Sequence, residues 1–339
     1  MEFTRHTQFE SLAPLAAEWD ALLAHSLTDA PFLRFEYLRD WWQTLGGGEW
    51  PQAELSVVTA REGGQLVGIA PLFHAVNRDG LSALLLLGSI EISDYLDLIV
   101  RPTDLTRFLG GLLDFLASLQ PDSWRVLDWY NLPEASPTLL ALEAASAARG
   151  WAFTRETYQP APYIPLPADF DSYLAGIEKK QRHEIRRKLR RAAEQEVPVR
   201  WYLVEDEARL PSEMEALFAL MRQDPAKETF LTEAMRRQML ATAQTALRGG
   251  WLWLAFLEVG GRKAAAAFNF DYDDRLWGYN SGVDHDFVEL SPGWVLLAHT
   301  LQWACEHGRK EFDFMRGNEE YKYRFGAKDR LVMRARAIR

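Results

Sequence analysis

One cysteine, Cys305, occurs in 339 residues, so no disulfide can form within the chain. Such usage fits a reducing compartment, and a cytoplasmic location is expected. Long apolar runs are also scarce. The greasiest stretch, LSALLLLGSIEI from Leu81, is interrupted by Glu91 and too short to span a bilayer. The opening MEFTRHTQFE lacks a basic region followed by an apolar run, so no signal peptide is expected. Any membrane contact is then expected to be transient and at the surface. The seven histidines show no zinc-like spacing. Asp284-His285-Asp286 is the nearest approach to a metal cluster, and no metal is expected. GGGEW, around Gly46, is not followed by GK[ST] and reads as a loop rather than a phosphate-binding P-loop. Positive charge is in deficit: 38 Lys and Arg stand against 48 Asp and Glu, a net charge of −10. That balance argues against DNA or general nucleic-acid binding, but not against a local basic site.

The residues present describe a globular protein long enough for two domains. Hydrophobic residues make up 48% and charged residues 25%, and the 13 tryptophans suggest large buried anchors or an aromatic-walled cleft. Residues 1–45 read as helices, with LAPLAAEWDALLAHS amphipathic and RFEYLRDWWQTLG stopping at Gly46. ELSVVTA, a Gly63-Gly64 turn and QLVGIAPLFHA read as a β-hairpin. Strands SALLLLGS and DYLDLIV, helix TRFLGGLLDFLASL, strand WRVLDWYNLP and helix SPTLLALEAASAARG follow. WAFTRETYQ and APYIPLP close the half as extended segments.

The second half replays this order. A long helix, DFDSYLAGIEKKQRHEIRRKLRRAAEQ, precedes strand VPVRWYLV and helical segments around EMEALFALMRQ and TEAMRRQMLATAQTALRG. WLWLAFLEV, a Gly260-Gly261 turn and RKAAAAFNFDY form a second hairpin. RLWGYNSGVD is a strand, SPGWVLLAHTLQWACEHG a helix, KEFDFMRG a strand, EEYKYRF a short helix and LVMRARAI a final strand. REGGQLVGIAPL aligns with EVGGRKAAAAF, and SWRVLDWYNLP with RKEFDFMRGNE, each of the latter centred on an aspartate (Asp128, Asp313). The repetition is weak but ordered, and it predicts two related α/β (α+β) domains, residues 1–165 and 166–339. The boundary falls in the Pro-rich APYIPLPAD.

One stretch breaks the charge pattern. KKQRHEIRRKLRR, residues 179–191, places Lys179, Lys180, Arg182, Arg186, Arg187, Lys188, Arg190 and Arg191 against the single acid Glu184. Leu174, Ile177, Ile185, Leu189 and Ala192 form a narrow apolar stripe that docks the helix. Like charges at i,i+4 repel by a few tenths of a kcal/mol, ~0.2–0.5 per pair. The cations therefore face an anionic ligand's phosphates, acidic neighbours in the fold, or a membrane surface.

SPGWVLLAHTLQWACEHGRKEFDFMRGNEEYKYRFGA, Ser291 to Ala327, resembles the signature of the CelD-type branch (cellulose and exopolysaccharide biosynthesis) of the GNAT acyltransferase superfamily. PFLRFEYLRDWWQTLG, Pro31 to Gly46, looks like that branch's N-terminal helix. The layout is similar to the FemAB-type peptidyltransferases, which move an aminoacyl group from tRNA onto a peptidoglycan precursor. The resemblance implies two tandem GNAT-like domains, each a mixed, mostly antiparallel sheet flanked by helices. It implies acyl transfer to an amine or hydroxyl, with acyl-CoA (acetyl-CoA) as co-substrate and a sugar or a lipid- or nucleotide-linked cell-envelope precursor as acceptor. A FemAB-type, aminoacyl-tRNA-dependent transferase is the alternative, with tRNA as partner. A degenerate GNAT fold serving as a non-catalytic binding module is the third reading.

In GNAT proteins the coenzyme A pyrophosphate lies at the N-terminus of the helix after the fourth strand, where amides and the helix dipole favour anions. The matching segment is VDHDFVELSPGW. Ser291 is expected as N-cap and Pro292 as first residue, with Gly293 the only nearby glycine. Asp284, Asp286 and Glu289 in this loop would repel a pyrophosphate. Lys179, Arg182, Arg186, Arg187 and Arg190 then offer another phosphate-binding wall.

FDFMRGNEEYKYRFGA carries the expected catalytic groups at the mouth of the sheet. Asp313 or Glu319 can accept the nucleophile's proton. Tyr321 or Tyr323 can protonate a leaving thiolate, as tyrosines do in GNAT enzymes. Lys322 or Arg324 can hold a phosphate or neutralise an oxyanion, and Arg316 lies on the same turn. Tyr279, Asn280 and Ser281 fall where a GNAT strand splays to polarise the acyl carbonyl. Asp94, Tyr95 and Asp97 occupy the comparable place in the first half, where surface exposure is expected. Cys305 shares an apolar helix face with Trp294, Leu297, Ala298 and Leu301 and is expected to be a buried hydrophobe rather than a nucleophile.

Overall fold

Hydrophobic alternation and paired glycines set the strand pattern of a computed structural model that describes residues 1–50, 52–119 and 123–339. Contacts divide the chain into two units, Met1–Pro160 with Arg330–Arg339, and Ala161–Asp329. The first runs β1 (Glu2–His6), α1 (Ala16–Leu23), α2 (Phe35–Leu45), β2 (Glu54–Leu55), β3 (Val57–Glu62), β4 (Gln65–Ala70), β5 (Leu72–Val76) and β6 (Ser82–Leu86). It continues with β7 (Ile99–Val100), α3 (Leu105–Ser118), β8 (Val126–Pro133), α4 (Thr138–Ala147) and β9 (Ala152–Pro160).

The second unit runs β10 (Tyr163–Pro165), α5 (Phe170–Gly176), α6 (Lys179–Ala193), β11 (Val199–Leu203), α7 (Leu210–Met221), α8 (Pro225–Phe230) and α9 (Glu233–Arg248). Then come β12 (Leu252–Val259), β13 (Arg262–Tyr272), β14 (Arg275–Val283), α10 (Pro292–Glu306), β15 (Glu311–Asp313) and α11 (Glu320–Arg324). The last strand is β16 (Leu331–Ile338).

Both expected hairpins form. Gly63 and Gly64 (φ 56° and 82°), and Gly260 and Gly261 (φ 57° and 83°), take the two left-handed positions that a tight hairpin turn demands. In the first unit one sheet has the order β1-β3-β4-β7 and the other β2-β5-β6-β8-β16-β9. The second unit holds one sheet, β10-β15-β14-β13-β12-β11. The weak sequence repeat has a structural counterpart. β6 and β8 pair in parallel, with α3 in the connection between them, and β14 and β15 pair in parallel across α10. The fold is therefore α/β (α+β), in two units whose mixed, mostly antiparallel sheets are flanked by helices.

Four of the expected elements or pairings are corrected by the structure. Residues 2–6 form a strand, not part of a helix, because their backbone pairs antiparallel with β3. The basic helix is broken at Ile177, which is extended (φ −95°, ψ 167°). Its side chain packs on Gly326, where a Cβ would lie 2.6 Å from Ile177 Cγ2. α8 forms where no helix was expected; Asp224 caps it and Pro225 is its first residue. Finally, β16 pairs with β8 and β9 of the first unit rather than with the second-half strands that precede it.

The second unit's core gathers Leu174, Ile185 and Ala192, the docking stripe of the basic helix, with Cys305, Leu301 and Phe325. Among the described residues no helix is long and apolar enough to cross a membrane.

Candidate functional site

The site is built at a fork between two strands. β13 faces β14 residue for residue from Ala265↔Val283 to Phe268↔Asn280, then the register slips so that Asn269 faces Gly278. Tyr279 is the extra residue of this bulge, and its ring packs against Phe268 and Phe270. On the other side β15 runs parallel to β14 only as far as Trp277↔Asp313. Gly278 sits in the crotch: a Cβ there would lie 3.2 Å from the Asp313 carbonyl oxygen.

Beyond the fork one edge of β14 has no strand partner among the described residues. Asp284 N–H donates to Ala264 O across the β13 side. Hydrogen-bonding direction alternates along an antiparallel pair, so Ser281 and Val283 turn their backbone groups toward the opened edge. The Ser281 carbonyl there accepts from Lys227 Nζ at 2.5 Å, and the Ser281 N–H donates to Asn280 Oδ1 at 2.9 Å.

The turn after β15 is gripped from two sides. Asp313, fully buried, accepts from Met315 N–H at 2.7 Å. Lys322, 2% exposed, donates to the carbonyls of Met315, Arg316 and Gly317 at 3.3, 3.0 and 3.0 Å and pairs with Glu319 at 2.9 Å. Half-buried Arg316 lies on the turn itself. Tyr321 sets its ring edge-on to Phe314, and burial together with the Glu319 charge pushes its phenol up. Tyr323 donates to Asp329 at 2.8 Å; burial and that carboxylate raise it to about 12. Arg324 pairs with Glu320 at 2.6 Å.

Two site lysines carry no sequence signal of their own. Lys227, on α8, stands in a stretch, PAKETF, with no pattern of charge; only the Asp-Pro start marks its helix. Burial lowers its pKa, and Asp224 and Glu319 oppose that shift, which puts the Glu319 carboxylate in its field. Two contacts thus lie at the fork: Lys227 on Ser281 at the edge of β14, and Lys322 with Glu319 on the turn after β15.

Lys188 was one cation among eight on α6. Its side chain is only 15% exposed, with Nζ 2.6 Å from Ser291 Oγ, 3.6 Å from Glu184 and 4.5 Å above the Trp294 ring. Burial lowers its pKa, and Glu184 opposes that. Ser291 is therefore not the N-cap expected from sequence. It is left-handed (φ 51°, ψ 56°), makes no side-chain cap bond, and its hydroxyl oxygen accepts from the Lys188 ammonium.

The other α6 cations are largely compensated by the protein itself. Arg186 pairs with Asp171 (3.1 Å), Arg187 with Glu184 (2.8 Å), Arg190 with Glu194 (3.9 Å) and Arg191 with Glu289 (3.4 Å). Arg182 donates to the carbonyls of Leu174 and Ala175. Lys179 and Lys180 are exposed and form no ion pair among the described residues. The acids expected to repel an anion at α10 are also engaged: Arg262 holds Asp284 at 3.0 Å and Asp286 at 2.8 Å.

Asp94, Tyr95 and Asp97 are buried, not on the surface: their exposures are 4%, 3% and 0%. Asp97 accepts from the hydroxyls of Thr28, Ser136 and Thr138 and from the Leu98 amide, a set that needs it inside. Cys305 is buried as expected, and burial pushes its thiol up to about 11. Among the described residues no His, Cys, Asp and Glu group is arranged to hold a metal.

The architecture has solved counterparts. The chain is similar to the crystal structure of FemX, with a TM-score of 0.65 at 13% identity over 99% of this chain and 97% of that one. It is similar to a conserved protein of unknown function from Bacteroides thetaiotaomicron (TM-score 0.60, 14% identity, 96% and 97% covered). It is also similar to the C-terminal domain of a putative lysylphosphatidylglycerol synthetase from Agrobacterium fabrum (TM-score 0.56, 13% identity, 95% and 91% covered). At these identities the likeness is one of fold. No protein with a curated description matches the chain. Residues 179–323, which hold α6, the fork, α10 and most of the turn after β15, match the family model of the acetyltransferase (GNAT) domain.

Proposed function

We propose that the second unit is an acyltransferase that moves an acyl group from an acyl-CoA-type donor to an amine or hydroxyl. The observation that carries this is the fork: a bulged β14 whose edge at Ser281–Val283 is released where β15 diverges. An extended donor arm can lie along such an edge with its reacting carbonyl toward Asn280 and Ser281. Glu319, exposed beside Lys322, is suited to take the acceptor's proton. Asp313 and Lys322 hold the turn that carries Glu319. The acceptor is a sugar or a cell-envelope precursor, as the CelD-type resemblance implies.

The donor's phosphates are assigned to the N-terminus of α10. Its dipole, the Gly293 amide and the Lys188 ammonium lie together there, and Arg262 and Arg191 neutralise the neighbouring acids. Exposed Lys179 and Lys180 remain available to a larger polyanion.

A second reading has its own support. The Ser281 carbonyl and amide are already engaged by Lys227 and Asn280. A donor without an amide arm, such as the ester of an aminoacyl-tRNA, need not displace them. Fold likeness to FemX and to a lysylphosphatidylglycerol synthetase domain agrees with that reading.

Calorimetric titration with coenzyme A, acetyl-CoA and aminoacylated tRNA, on the natural chain and on Lys188→Met, tests both. Saturable acetyl-CoA binding weakened at least about tenfold by Lys188→Met supports the first reading. Binding of tRNA alone, with steep salt dependence, supports the second. No binding of either sinks both and leaves a non-catalytic module.

A further inference from the structure

We propose that Lys227 is the acid that protonates the leaving group, working with Glu319 as the base. This rests on the acyl-transfer reading above. The case begins with placement. Asp224 caps α8 by accepting from the amides of Ala226 and Lys227 at 2.8 and 3.3 Å, which fixes the backbone of Lys227. The side chain then crosses to the released edge of β14, with Nζ 2.5 Å from Ser281 O and 3.5 Å from Ser281 Oγ. An ammonium has three hydrogens. One is spent on the Ser281 carbonyl and a second reaches the Ser281 hydroxyl over a long 3.5 Å, so one is left to face the edge where the donor's ester or thioester would lie.

The rival groups are less suited. Lys322 is 2% exposed, and three carbonyls and Glu319 consume its hydrogens. The Tyr321 phenol is pushed up by burial and by the Glu319 charge, so it gives its proton less readily. Burial moves Lys227 the opposite way, toward a stronger acid.

The step balances. The acceptor's nitrogen or oxygen attacks the acyl carbonyl and forms the new C–N or C–O bond, and its proton passes to the Glu319 carboxylate. The tetrahedral intermediate collapses, the acyl C–S or C–O bond breaks, and Lys227 delivers a proton to the departing sulfur or oxygen. Glu319 then returns its proton to the Lys227 amine, whose field it already shares. The net change is acyl-X plus H-Nu giving acyl-Nu plus H-X.

The test compares two donors with hydroxylamine as the acceptor in excess: acetyl-CoA, whose thiol leaves better when protonated, and p-nitrophenyl acetate, whose phenolate leaves unaided. Lys227→Met and Lys227→Arg are assayed, the second keeping the charge but not the acidity. Both are expected to lose about 10²–10⁴-fold with acetyl-CoA and to keep p-nitrophenyl acetate turnover close to that of the natural chain. The basic limb of the acetyl-CoA pH profile should disappear in both. Full retention with acetyl-CoA in either variant, or equal loss on both donors, overturns the role of Lys227 while leaving acyl transfer intact. If the natural chain transfers from neither acetyl-CoA nor aminoacylated tRNA, acyl transfer itself fails, and the role of Lys227 falls with it. Circular-dichroism melts of both variants show whether a loss reflects unfolding.

Discussion

The guanidinium of Arg334 grips the carboxylate of Asp128 with two bonds, Nε to Oδ1 at 2.8 Å and Nη2 to Oδ2 at 2.9 Å. Asp128 is fully buried and also takes Asn77 Nδ2 at 2.8 Å. Arg334 lies on β16, between β8 and β9, so the fork-to-fork pair fastens the last strand into the first unit's sheet.

Breaking this pair from one side should be costly. Arg334→Met is expected to lower stability by about 3 kcal/mol, because the buried carboxylate keeps only the Asn77 amide and Arg336 at 4.0 Å. The double variant Arg334→Met with Asp128→Leu should recover part of that loss. Urea unfolding of the two variants checks both statements; equal stability of Arg334→Met and the natural chain would refute them.

The exposed pairs of α6 should behave differently. Arg186 and Arg190 and their acids are all more than half exposed, so Arg186→Ala and Arg190→Ala should each shift stability by no more than about 1 kcal/mol. Denaturant midpoints at low and high salt measure this. A larger loss would mean that these arginines hold the fold rather than face a ligand.

Lys322 and Lys227 should separate by stability. Lys322→Met strips the cation from three turn carbonyls and should lower the melting temperature by several degrees, roughly 4–8 °C per kcal/mol in a small domain and less in a larger one. Lys227→Met removes a half-exposed contact and should leave the melt nearly unchanged. Calorimetric scans of the two variants make the comparison.

Asp97 predicts a pH slope. Burial raises its folded pKa above the ordinary 3.8, and its three hydroxyl donors only partly oppose this. Between the unfolded and folded values the native state binds the extra proton, so stability falls as pH rises through that window. Asp97→Asn removes the titration. Its stability relative to the natural chain should climb as pH goes from about 3.8 upward, by about 1.4 kcal/mol per unit of the shift. Unfolding midpoints across that range give the difference, and a flat difference would rule the effect out.

Cys305 should be silent in the native state. Its thiol is buried and raised to about 11, so Ellman's reagent should not react at neutral pH until the chain is unfolded. Rapid native labelling would show that the α10 face opens.

Much of the fold was legible because the signals are local. Gly63-Gly64 and Gly260-Gly261 force hairpins, and Leu174, Ile185 and Ala192 repeat at helical spacing on the buried side. The segments at the fork carried sequence signals, Tyr279 to Ser281 and the Asp313 to Gly326 motif, but the fork itself did not. Lys227 carried no such signal, since a single lysine in a short helix has no periodicity to betray its target. Residues 2–6 were misread because an edge strand with mixed polarity declares itself only through its partner, β3.

The sequence by itself determined the elements, the two-part order and the concentration of charge in residues 179–191. The tertiary structure alone decided which charges meet. It placed Lys227 on Ser281, 54 residues away, and Arg334 on Asp128, 206 residues away. It also paired four arginines of the basic helix with the protein's own acids at the surface while setting Lys188 on Ser291. The reason is physical. Helix and turn preferences act over a few residues, whereas ion pairing and desolvation depend on distances that exist only once the chain has folded.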